Sequence, residues 1–114
     1  MRTQAEAIDI MHQAAKRCGL LYGDRLREVF LYGSYARGDQ TAESDVDILM
    51  TAEATSTEIA ALRGMVARIA SDLSLANDVT VSLTVKPREQ FMRFSAAMPY
   101  YRNVLREGLR YDGQ

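Results

Sequence analysis

The residues best suited to chemistry are two aspartates, Asp45 and Asp47, one residue apart in the run SDVDILM. Strand residues two apart project from the same face. Both carboxylates therefore stand together, about 6.5–7 Å apart along the chain, while Val46, Ile48 and Met50 point the other way into a core. Neighbouring carboxylates repel, and each prefers solvation or a counter-charge. A divalent cation between them removes the repulsion. Mg²⁺ in particular takes one or two carboxylates, keeps water and is completed by substrate phosphates. The plain alternative, for such a pair standing alone, is a polar strand start on a wet sheet face.

The turn upstream shifts that balance. The apolar run EVFLY ends at Gly33, and Ser34 to Gly38 reads as one short helical turn. Glycine admits positive φ and close approach to the backbone. Ser34 offers a hydroxyl and an amide where free amides attract anions such as phosphate. Arg37, one turn on, can bring a guanidinium to the same anion. Taken alone, this is a strand-to-helix junction with a serine cap and a surface arginine. Taken together, a phosphate cradle and a metal-holding pair at the ends of consecutive strands make one phosphoryl-transfer site.

These residues need elements to hold them. The spacing of Ile8, Met11, Ala15 and Cys18 predicts a helix over residues 3–19, stopped at Gly19. Strands are predicted over 28–32, 46–51 and 78–85, with a polar loop over 39–44. Ile59, Leu62, Val66, Ile69 and Leu73 mark a long helix over 55–75, with Ser56 or Thr57 as its cap. Pro87 suits the first turn of a further helix with Phe91, Phe94 and Met98 inward, broken at Pro99. A last helix covers 100–107 and ends at Gly108. The order predicts an α/β (α+β) fold with a small mixed sheet and helices mainly on one face. The second strand, long helix and third strand form a crossover unit.

Composition narrows the function classes. The chain has 114 residues, 47% hydrophobic and 25% charged, with a formal net charge of -1. That fits one soluble globular domain spanning 1–114, with nucleic-acid binding not indicated. No apolar stretch nears the roughly 20 residues of a membrane span. The start MRTQAEAIDIMHQ lacks the apolar core of a secretion signal, so the expected location is cytoplasmic. The lone Cys18 rules out an internal disulfide and a cysteine zinc cluster, and the lone His12 argues against a multi-histidine metal site. The aromatic–arginine segment FMRFSAAMPYYRNVLREG reads first as a core-facing stripe with arginines outside, and second as a partner surface.

The stretch GSYARGDQTAESDVDILM, with Gly33-Ser34 ten residues ahead of Asp45-x-Asp47, resembles the minimal nucleotidyltransferase (MNT) domains of the DNA polymerase beta-type nucleotidyltransferase superfamily. Length and element order are similar from about residue 5 to residue 110. The resemblance implies Mg²⁺ held by Asp45 and Asp47 as the catalytic residues. It implies a nucleoside triphosphate, ATP by preference, bound near Gly33 and Ser34 with help from Arg37. It further implies transfer of a nucleoside monophosphate to an acceptor hydroxyl on a protein, with a HEPN-domain toxin as partner; an oligomer is compatible with this.

The third strand departs from that pattern. Active members carry a third carboxylate there, but DVTVSLTVKP offers Ser82, or Thr80 as the other choice on that face. Asp78 has the right parity but lies about 13 Å from Ser82 along a strand. Losing a general base costs about 10²–10⁴-fold. Glu43, Glu53 and Asp39 are the other candidate suppliers. The alternative reading is therefore a catalytically weak nucleotide- and metal-binding module that acts as an antitoxin by protein contact. A small-molecule acceptor is a third option, and one that needs a second copy or a partner to complete the site.

Overall fold

The computed structural model describes residues 2–111. Thr3 opens the first helix, α1 (Gln4–Tyr22), through a capping box: its side chain accepts from the Glu6 amide while the Glu6 carboxylate accepts from the Thr3 amide. This satisfies two amides that the helix itself leaves free. The helix runs past the expected stop at Gly19, which has open space around it, and ends at Gly23 with φ +61°. Buried Tyr22 anchors that extra turn.

Strand β1 (Leu26–Tyr32) leads into the short helical turn α2 (Ser34–Arg37), closed by Gly38 in the left-handed region. Strand β2 (Val46–Ala52) follows, then helix α3 (Ser56–Asn77). The cap of α3 is Thr55 rather than Ser56 or Thr57, because only Thr55 lies three residues ahead of Glu58 and completes a second capping box. Asp78 adopts a left-handed φ of 52° and closes α3, so β3 (Val81–Pro87) begins three residues later than its composition predicts. The chain ends with α4 (Arg88–Phe94), α5 (Pro99–Glu107) and β4 (Leu109–Arg110). Two residues are too few to leave an alternation signal, which is why β4 is not legible in the sequence.

The strand order is β3-β2-β1-β4. β2 and β3 are parallel across the α3 crossover, and β1 is antiparallel to both β2 and β4. The sheet is thus mixed, as the element order requires. The two long helices cover one face, where Val29, Leu31, Val46, Ile48 and Met50 pack against Ile10, Met11, Ile69 and Leu73. The short α4–α5 pair covers part of the other face, where Phe30 and Leu49 meet Phe91, Tyr101 and Val104.

The aromatic segment divides. Phe91 and Tyr101 are fully buried, but Phe94 and Met98, expected inward, are 39% and 43% exposed. The reason is that α4 ends at Phe94 and α5 brings Tyr101 and Val104 into the remaining space. Beneath α4, the buried Glu28 carboxylate accepts from the Thr51 hydroxyl and from Arg88 Nε, at 3.1 Å to each oxygen. A buried charge needs such partners, and this one ties α4 to two strands. Truncating the aromatic anchor, Phe91→Ala, should destabilise the protein by about 3–5 kcal/mol in urea unfolding.

Candidate active site

The site forms where β1 ends. In the antiparallel pairing Tyr32 lies opposite Asp47, and the next residue, Gly33, turns the chain with φ 79° and ψ -155°. That conformation is essentially restricted to glycine. A Cβ on Gly33 would lie 2.8 Å from Asp47 Oδ2, so the carboxylate takes the space that a side chain here would need. The Ala36 and Arg37 amides both donate to the Gly33 carbonyl at 3.1 Å. The Ser34 and Tyr35 amides precede these and point out of the start of the turn, as at any helix beginning. Buried Tyr35 and the side chain of Gln4, which donates to the Tyr35 and Ala36 carbonyls at 3.0 and 3.1 Å, fix the turn against α1.

Asp45 is exposed just ahead of β2, and Asp47 is half-buried within it, with fully buried Val46 between them pointing away. Burial, and then the charge of Asp45, push the Asp47 carboxyl above its ordinary value. Arg37 sits at the outer end of the turn, with Nε 3.2 Å from Asp39 and Nη1 3.5 Å from Glu107. Gly33, Ser34 and Asp47 are thus brought together, while Arg37 is held beside them by two carboxylates of its own.

The parallel register sets Ser82 abreast of Asp47, so a serine occupies the place on β3 next to the aspartate. Among the described residues no three His, Cys, Asp or Glu side chains converge on one point. Asp78 and Glu43 line a cleft of about 490 Å³ together with Asp45, Ser44 and Thr80. Asp78 stands there as the left-handed cap of α3, not as a residue of β3. Glu53 lies past the far end of β2, about 20 Å from Asp47 at six strand rises, and it pairs with Arg27. It cannot serve this site. A cavity of about 580 Å³ also lies at that far end, lined by Thr55, Glu58, Arg88 and Met92 among others. Its Arg88 is already committed to Glu28.

Two tyrosines at the site escaped the sequence reading. The Tyr32 and Tyr100 hydroxyls are 2.9 Å apart, and their rings meet edge to face at 5.7 Å. Burial raises the pKa of both, and their mutual contact raises that of Tyr32 further. Tyr32 was open to inference, since it precedes Gly33 and shares the face of Asp47. Tyr100 reaches the site only through the docking of α5, which no local pattern encodes.

The two carboxylates, the tight glycine turn and the order of strands define a nucleotidyl-transfer fold. Residues 12–111 match the nucleotidyltransferase domain family, and the chain belongs to that family. It is similar to a candidate protein adenylyltransferase of Methanocaldococcus jannaschii, with 34% identity over 87 residues, covering 76% of this chain and 79% of that protein. It shares its fold with a toxin–antitoxin crystallised with AMP-PNP (TM-score 0.56, 19% identity, 93% of this chain and 73% of that one). A candidate nucleotidyltransferase of Sulfolobus solfataricus is alike to the same degree (TM-score 0.56, 22% identity, 97% and 87%).

Two outcomes follow from this geometry. Gly33→Ala combines a forbidden φ with a clash at Asp47 and should cost about 1–3 kcal/mol of stability, read by thermal unfolding. Asp47 carries a raised pKa in the folded state, so the stability tied to its protonated form is complete below its ordinary value of 3.8 and is lost as pH rises through the raised one. In EDTA, Asp47→Asn should therefore raise the melting temperature at pH 7, and the gain should vanish below that ordinary value.

Proposed function

We propose that this protein is a Mg²⁺-dependent nucleotidyltransferase that moves AMP from ATP to a hydroxyl on a protein, within the cytoplasm. The observation that carries the reading is the close approach of Asp47 to the Gly33 turn, beside Asp45, in a chain of the nucleotidyltransferase family. Similarity to the Methanocaldococcus protein adenylyltransferase supports a protein acceptor and adenylyl transfer.

The donor set fits the metal. Two adjacent carboxylates, one of them raised in pKa by burial and by its neighbour, form a site that a divalent cation would relieve. Asp45 and Asp47 would hold Mg²⁺, which supplies charge neutralisation for the triphosphate when bound. The Gly33 turn lets the phosphates approach the backbone, and the Ser34 amide and hydroxyl donate to them. Arg37 leaves Asp39 and Glu107 to add a guanidinium to the same oxygens. In the transfer the acceptor oxygen bonds to the α-phosphorus, the bond from that phosphorus to the β-phosphate oxygen breaks, and pyrophosphate departs. The acceptor's proton passes to solvent, since Ser82 is a poor base.

A toxin of the HEPN type fits as partner, because structural neighbours of this fold come from toxin–antitoxin complexes. Met92, Phe94, Met98, Tyr100 and Leu105 are exposed together on the α4–α5 side, offering an apolar surface to a protein.

The serine abreast of Asp47 favours a second reading, in which the protein binds nucleotide and metal but restrains its partner by contact alone. One experiment separates the two. With purified HEPN-type partner, Mg²⁺ and ATP labelled in the α-phosphate, transfer predicts covalent label that Asp47→Asn abolishes by at least about a hundredfold. Complex formation that survives EDTA, without label on the partner, selects the contact mode. Equal labelling by Asp47→Asn would refute the assignment of the site.

A further inference from the structure

The outer edge of β3 carries a cavity that the transfer site does not use. Its volume is about 240 Å³, and it is lined by Tyr22 of α1, by Ile59, Arg63 and Val66 of α3, and by residues 83–86 of β3. Consecutive strand residues point to opposite faces. Four in a row share only the outer backbone edge of the strand. Among the described residues β3 is the last strand of the sheet and pairs with β2 alone. Its outer amides and carbonyls are therefore open to a further strand.

Three features give the cavity a chemical character. The Tyr22 hydroxyl is buried and has no hydrogen-bond partner among the described residues, whereas buried hydroxyls are almost always bonded. Arg63 and Lys86 belong to no ion pair among the described residues, although nine other arginines do. Among the described residues no acidic side chain lines the cavity, in a protein whose formal net charge is -1. The walls beside these groups are aliphatic: Ile59, Val66, Leu83 and Val85. The space is smaller than the roughly 300–1,000 Å³ of small-molecule sites and suits the end of a chain.

We propose that this edge binds the carboxyl terminus of an extended peptide that ends in an aliphatic residue. The peptide main chain pairs with the outer edge of β3, as in strand addition. The last side chain rests on Ile59 and Val66. The terminal carboxylate accepts from the Tyr22 hydroxyl, with Arg63 and Lys86 supplying the counter-charge.

The test uses the full chain, labelled with ¹⁵N, and an acetylated Ala-Ala-Leu peptide with a free carboxyl terminus. The peptide should shift the amides of residues 81–87 and of Tyr22 and Arg63. Amidating its terminus should weaken binding about tenfold or more, as should Tyr22→Phe and Arg63→Gln. Tyr22→Phe should leave the melting temperature unlowered, because the hydroxyl it removes bonds to none of the described residues. Equal binding of the amidated peptide would overturn the proposal. So would inorganic phosphate or N-acetyl-leucine binding as tightly as the peptide, which would mark an anion site without strand pairing. The absence of any shift at millimolar peptide would overturn it as well.

Discussion

The arrangement depends on one close approach, that of the Asp47 carboxylate to the space a side chain on Gly33 would fill. It requires a residue without a side chain in a conformation that only glycine adopts freely. It also requires β1 to end opposite the aspartate, which the antiparallel register secures through Tyr32. The turn α2 is held from behind by Tyr35 and Gln4, so it cannot relax away from the carboxylate. Asp47 is thereby kept partly out of water next to a second negative charge, a situation that disfavours ionisation. Under the proposed function, a cation and the phosphates that accompany it would relieve this repulsion.

The remainder of the fold supports this close approach from two sides. α1 and α3 bury the aliphatic face of the sheet and fix the strand spacing, while α4 and α5 cover only part of the opposite face. That partial cover brings Tyr100 against Tyr32 and leaves the carboxylate end open. The buried Glu28, bonded to Thr51 and Arg88, pins α4 at the other end of the same face.

Much of this was legible in the chain, and what was not has physical causes. The buried alternation of Val46, Ile48 and Met50 and the α3 crossover follow from the periods of strand and helix, and the structure bears out both. Ser82 is one of the two residues the third strand offers in place of a carboxylate, and the register places it abreast of Asp47. The errors fall where tertiary contacts outweigh local pattern. Gly19 is tolerated inside α1 because buried Tyr22 rewards another turn. Asp78 becomes a left-handed helix cap rather than the first residue of a strand. Phe94 and Met98 stay outside because α5 fills the core position first. Tyr100 joins the site through a docking that no short-range signal encodes.

Ser82 is the residue on which the balance between transfer and mere binding turns. A serine beside Asp47 can donate a hydrogen bond but is a poor base at neutral pH. The most direct measurement is the rate of labelled AMP transfer by Ser82→Asp relative to the parent protein, with nucleotide affinity measured alongside. The account predicts a faster rate, by up to about 10²–10⁴-fold, at similar affinity. An unchanged or lower rate at unchanged affinity would contradict the placement of the missing carboxylate, and with it the assignment of this face as the site of transfer.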